Sequence, residues 1–78
     1  MEQSEIDQQV REVVSEHLGL DLDAVDLEAR VEELANSLEL GTMVIAMERH
    51  FDVELEDSAL GRVRVLRDVA KLVAEASA

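Results

Sequence analysis

The stretch NSLELGTMVIAMERHFDVELED, running from Asn36 to Asp57, decides the fold. From Leu40 onward its large apolar residues fall at Leu40, Met43, Val44, Met47 and Phe51. That i, i+3, i+4, i+7, i+11 spacing buries one side of an amphipathic helix. Asn36 and Ser37 stand just ahead of it, two side chains of the kind that satisfy unpaired N–H groups at a helix start. A serine is thereby displayed where the free donors and the helix dipole favour a negative charge, so a phosphate ester on Ser37 would be well housed. The plainer alternative is that Ser37 is only a cap. After Phe51, acidic and apolar residues alternate in an exit loop.

Upstream, Ser4-Glu5-Ile6-Asp7 reads as a helix opening, with Ser4 as cap. The stripe Ile6, Val10, Val13, Val14 and Leu18 follows, and Gly19 is a natural stop. His17 falls in the last turn as a helix-end residue; no second His, Cys or paired Ser lies near it in sequence. Leu20 to Ala35 is too apolar for a floppy linker and is expected to pack across the helices as a long loop, with a short helical turn near Asp23-Ala24-Val25. Asp21, Asp23 and Glu32 take positions 1, 3 and 12 of an EF-hand-like loop, but Val25 and Asp26 stand at positions 5 and 6, where a ligand and the obligatory Gly belong. No specific metal site is expected.

Downstream, Asp57 to Val63 reads as a short third helix with Asp57 as cap and Ala59, Leu60 and Val63 turned inward. The last helix starts near Val65-Leu66 and carries Leu66, Val69, Leu72, Val73 and Ala76 on one side, with Lys71 and Glu75 placed to pair on the other. The economical arrangement is all-α: a small four-helix up-down bundle with a long first loop and a short third helix, one domain over residues 1–78.

With 78 residues, the chain buries only ~60–65% of its unfolded surface. Its single aromatic residue, Phe51, leaves a core of Val, Leu, Ile, Met and Ala, a palette suited to helices that slide and part. The absence of cysteine rules out disulfides and thiolate metal sites. No apolar run approaches membrane-spanning length and the N-terminus has no signal-like apolar region, so a soluble, cytoplasmic protein is expected. A net charge of −12 argues against nucleic acid and for basic partner surfaces reached by long-range attraction. Of the 19 acids, 17 precede residue 60, whereas Arg62, Arg64, Arg67 and Lys71 gather in the last quarter.

Asn36-Ser37-Leu38, followed fourteen residues after the serine by Phe51-Asp52-Val53-Glu54-Leu55, resembles the acyl carrier protein family from about Ile6 to Val73. The family's hallmark is Asp-Ser-Leu, so Asn36 is a departure. Glu33-Leu34-Ala35 replaces the usual Gly-containing turn, and Glu56-Asp57 replaces Pro-Asp. The resemblance implies that Ser37 carries a covalent 4′-phosphopantetheine arm derived from coenzyme A, with Asn36 and Leu38 flanking the attachment. It implies a phosphopantetheinyl transferase, an acyl- or aminoacyl-loading ligase, and downstream synthase or transferase enzymes with basic docking surfaces as partners; a Met-leading chain without linker-like stretches is expected to be a free-standing, monomeric carrier.

Leu38, Gly41, Ile45 and Glu48 line up beside the core stripe with Ser37 at their head. They either widen the buried face or form a partner-contact ridge in which Leu38 and Ile45 are flanked by Glu39, Glu48 and the acidic Asp57. Gly41 is unusual inside a helix and permits close approach by a partner or by the attached chain. The alternative function is an unloaded, carrier-like acidic adaptor. An enzyme has no support: there is no His-acid-nucleophile set, no CxxC, no HExxH and no phosphate-cradling Gly loop.

Overall fold

The structure, a computed structural model, describes residues 1–78 and contains five α-helices, one 3₁₀ turn and no strand. The helices are α1 (Gln3–Leu18), α2 (Val31–Leu34), α3 (Ser37–Phe51), α4 (Asp57–Leu60) and α5 (Leu66–Ser77), with the 3₁₀ turn at Leu22–Ala24. The three long helices make the bundle: α1 packs against both α3 and α5, and α3 against α5. Apolar periodicity explains each of them. Ile6, Val10, Val13 and Val14 from α1, Met43 and Met47 from α3, and Leu66, Val69, Ala70 and Val73 from α5 are all buried in one cluster. Burying each of the two α3 methionines removes a side chain worth ~1.5–3 kcal/mol from water, which anchors α3 against rotation about its own axis.

The helix ends follow local chemistry, with some differences from the reading above. Gly19 adopts φ +68° and closes α1, a left-handed cap conformation glycine takes without Cβ strain. Asp52 closes α3 in the same way at φ +54°, tolerated because a short acidic side chain visits that region more readily than most. Ser4 is not the cap of α1; the cap position is Glu2, and Ser4 lies inside the first turn. Asp57 is likewise the first residue of α4, with Glu56 at the cap position and no side-chain bond there, and the helix ends at Leu60, three residues short of Val63. Lys71 and Glu75 form no ion pair, since both side chains are solvated on the outer face of α5. Ala76 is exposed because the last turn of α5 projects beyond the core.

The connection from Leu20 to Ala35 is packed, and it contains a second helical turn, α2, beyond the one expected. Two devices hold it. Arg11 reaches from α1, its Nε donating to the Val25 carbonyl at 3.0 Å and Nη2 to the Leu22 carbonyl at 2.9 Å. At the other end the connection caps α5: the carbonyls of Ala29 and Leu27 accept from Leu66 N at 3.0 Å and Arg67 N at 2.7 Å, and Val31 N donates to the Arg64 carbonyl at 3.0 Å. These long-range bonds satisfy N–H groups that a helix start leaves without partners. Arg67 adds ion pairs to Glu28 and, at 3.7 Å, to Asp7; the hydrogen bond that its Nε donates to the Glu28 carboxylate is the main reason its guanidinium is held above its ordinary pKa. Asp68 accepts from the N–H groups of Arg64 and Val65, and those two bonds push its carboxyl below the usual range.

Candidate functional site

Ala35 is buried and extended, and Asn36 is also extended, so the chain leaves α2 along a fixed path and turns into α3 at one defined residue. The cap of α3 is Asn36. Its Oδ1 accepts from Glu39 N at 2.8 Å while Glu39 Oε1 accepts from Asn36 N at 3.0 Å, a reciprocal capping box. Ser37 is therefore not the cap but the first helical residue. It is exposed and its hydroxyl makes no hydrogen bond within the chain. The backbone N–H groups of Ser37 and Leu38 have no acceptor in the protein, because the cap side chain serves Glu39 and the Asn36 carbonyl serves Leu40. An exposed hydroxyl beside two open N–H donors at the positive end of a 15-residue helix suits an esterified phosphate.

Asn36 departs from the family's aspartate without cost to this geometry, since Asn and Asp are about equally good caps and the amide oxygen makes the bond a carboxylate would make. The departure removes a negative charge next to Ser37 and leaves the fold as it is.

The other residues singled out in the sequence fall into two groups. Leu38 and Ile45 are open to solvent, at 78% and 51% exposure, which favours the ridge over a widened core face. Glu39 and Glu48, by contrast, each have work inside the chain. Glu39 closes the capping box, and Glu48 Oε2 accepts from Leu55 N at 2.9 Å, tying the end of α3 to the exit loop. Asp57 is exposed at the start of α4. His17 donates to or accepts from Thr42 Oγ1 at 2.9 Å across the α1–α3 seam, and His50 is similarly joined to Gln9 at 2.9 Å.

Between α3, α4 and α5 lies a partly open cleft of about 490 Å³. That volume is within the ~300–1,000 Å³ range of ligand pockets. Of its 13 lining residues ten are hydrophobic, among them Met43, Met47, Leu55, Leu60 and Val63, and the two charged ones are Glu48 and Asp57. It begins at Leu40 and Gly41, one helical turn below Ser37. The aliphatic composition of these helices is consistent with an apolar chain sheltering between them, but which residues line the space, Leu60 and Val63 among them, follows from the packing. The role of Arg11 was also invisible, because its acceptors are backbone carbonyls and carry no residue-type signature.

A small helical bundle with an exposed, unbonded serine hydroxyl at a helix start beside an apolar cleft has the arrangement of a carrier of a tethered group. The comparisons agree. Residues 8–73 match the family described as phosphopantetheine attachment site. Acyl carrier protein of Bdellovibrio bacteriovorus is 38% identical over 63 residues, covering 78% of this chain and 81% of that one. Acyl carrier protein of Campylobacter jejuni subsp. doylei is 36% identical over 66 residues, covering 82% and 86%. The crystal structure of an acyl carrier protein from Thermotoga maritima superposes with a TM-score of 0.79 at 28% identity, covering 97% of this chain and 91% of that one. The chain belongs to the acyl carrier protein family, whose members are non-catalytic and bear a covalent 4′-phosphopantetheine. No helix is long and apolar enough to cross a membrane.

Proposed function

We propose that residues 1–78 act as one monomeric, cytoplasmic carrier domain in which Ser37 Oγ becomes the serine side of a phosphodiester to phosphopantetheine from coenzyme A, and that its cargo is an acyl rather than an aminoacyl group. The observation that supports the attachment is the Ser37 hydroxyl, exposed and unbonded beside two N–H groups without acceptors. The apolar lining of the cleft supports the acyl cargo, since an ammonium group there would lose hydration and meet carboxylates only at Glu48 and Asp57. When bound, the arm supplies a thiol that holds cargo as a thioester. What the chain's own residues do is present the hydroxyl, leave two donors for the phosphate, and offer deformable Met43 and Met47 side chains around an apolar tail.

The partners in this reading are a phosphopantetheinyl transferase, an acyl-loading ligase, and a downstream synthase or transferase with a basic docking surface that meets Leu38 and Ile45. The net charge of −12 supports basic partners. Intact-mass measurement after incubation with coenzyme A and a broad-specificity transferase tests the attachment. The wild-type chain should gain the mass of one phosphopantetheine and Ser37→Ala none. A wild-type chain that gains nothing, or a gain that survives Ser37→Ala, overturns the assignment and leaves the acidic adaptor.

A further inference from the structure

Residues 1–60 hold three Lys or Arg side chains, Arg11, Arg30 and Arg49, and two of them are engaged within the chain. Arg11 is bonded to the Leu22 and Val25 carbonyls, and Arg30 is paired with Glu32. Arg49 is exposed and forms no ion pair, although it shares a shallow surface hollow with Glu48, Asp52 and Glu54. A cation in the last turn of α3 complements the helix dipole, which accounts for its place along the helix but not for its face. That face is shared with the two large apolar side chains α3 leaves in solvent, Leu38 and Ile45. At 3.6 residues per turn, Leu38, Ile45 and Arg49 fall within about 40° of arc, with the cation roughly 16 Å along the helix from Leu38. The acids beside the stripe are less free. Glu39 closes the capping box, and Glu48 accepts from Leu55 N. A protein lying along this face thus meets an apolar pair that starts next to Ser37 and ends in an unpaired guanidinium.

Resting on the assignment of Ser37 above, we propose that Leu38, Ile45 and Arg49 form one docking stripe, and that the transferase that arms Ser37 meets it with an apolar patch followed by a carboxylate paired with Arg49. An interface of ordinary size takes ~800 Å² from each partner and is roughly 30 Å across. An enzyme that holds the Ser37 hydroxyl and lies along α3 therefore covers Arg49. Covering a guanidinium with no anion opposite leaves a desolvated, unpaired charge, and a basic group there adds repulsion. Elsewhere the enzyme faces a chain of net charge −12 and is basic. One acidic group within a basic face sets the direction of α3 on the enzyme, because turning the helix end for end brings Arg49 onto like charge.

The sign of the effect tests this. Removing a cation makes the chain more negative, so an enzyme surface that is basic throughout should arm Arg49→Gln and Arg49→Glu more readily than wild type. A carboxylate opposite residue 49 requires the reverse. Arming is followed by intact mass with coenzyme A and the phosphopantetheinyl transferase of this chain's own cells, purified by its activity on the wild-type chain. KM should rise ~3–10-fold for Arg49→Gln and further for Arg49→Glu, with kcat unchanged and the difference narrowing in high salt. Arg49→Lys keeps the charge but loses the bidentate fork, and should fall between wild type and Arg49→Gln. Ser37→Ala docks without being armed, so it should inhibit arming of the wild-type chain, and adding Arg49→Gln to it should weaken that inhibition by the factor seen in KM. An equal or lower KM for Arg49→Gln and Arg49→Glu overturns the proposal and leaves Arg49 as a dipole partner whose loss lowers only the melting temperature. A rise in KM that the inhibition does not mirror overturns it too. A wild-type chain that gains no arm removes the Ser37 assignment together with this one, and intact mass reveals that before any KM is compared.

Discussion

Asn36→Ala and Ser37→Ala, adjacent substitutions of capping-type residues, should differ sharply in their consequences, the first destabilising and the second nearly neutral. Asn36 Oδ1 accepts from Glu39 N at 2.8 Å, so alanine there leaves a third N–H of α3 without a protein acceptor and removes half of the capping box. The expected cost is ~1 kcal/mol, with a range of ~0.5–2. For a chain of 78 residues that lowers the melting temperature by roughly 4–8 °C. In urea, with a slope near ~1 kcal/mol/M for a small domain, the midpoint falls by about 1 M. Ser37 makes no side-chain hydrogen bond and is exposed at the first helical position, so Ser37→Ala should change the midpoint by less than ~0.5 kcal/mol equivalent while abolishing modification. Asn36→Asp should restore wild-type stability. Paired urea melts of the three variants decide the matter: a destabilised Ser37→Ala beside a neutral Asn36→Ala would refute the assignment of the cap and return the serine hydroxyl to a structural role.

Arg11→Met keeps the aliphatic stem but strips donors from the Leu22 and Val25 carbonyls, and should cost about 2 kcal/mol in urea unfolding with the earliest hydrogen exchange in residues 20–29; an unaltered exchange pattern would show the connection is held by packing alone. Glu39→Gln with Glu48→Gln removes two charges yet keeps an oxygen for Asn36 N and Leu55 N, so stability should hold while association with a basic partner slows in low salt; equal rates at all salt concentrations would confine these acids to their internal bonds. Substitution by Lys would confuse the two effects, since it deletes both acceptors. The Asp68 carboxyl is held below its ordinary pKa by the Arg64 and Val65 N–H groups, so its contribution is complete above ~3.9 and is lost as pH falls through the depressed folded value. Asp68→Asn should therefore flatten the acid limb of the stability curve below that point, and an unchanged limb would show that the carboxyl is not the group responsible.

The legible part of the molecule was that which depends on neighbours in sequence. The stripes through Ile6 to Leu18, Leu40 to Phe51 and Leu66 to Val73 repeat at the helical period, and Gly19 punctuates the first of them, so three helices and their buried faces could be read directly. Leu38 and Ile45 lie off the stripe that fills the core, but the sequence left open whether they widen the buried face, and their exposure came from the packing. Helix ends were less legible, because several adjacent residues were chemically able to cap. Ser4, Ser37 and Asp57 all looked the part, and each proves to be inside its helix by at least one position.

What the sequence by itself determined is the set of amphipathic helices and a serine at the start of the central one, because both follow from apolar period and from short-range capping chemistry. Local backbone geometry, not residue type, picked Asn36 over Ser37 as the cap and tied Glu48 to the exit loop; only the tertiary structure decided that the Ala29 and Leu27 carbonyls start α5 and that α3, α4 and α5 leave a cleft beneath Gly41. The physical reason is that these depend on which groups meet across the bundle. A backbone carbonyl accepts a hydrogen bond whatever its side chain, and an empty volume belongs to the residues around it jointly rather than to any one of them.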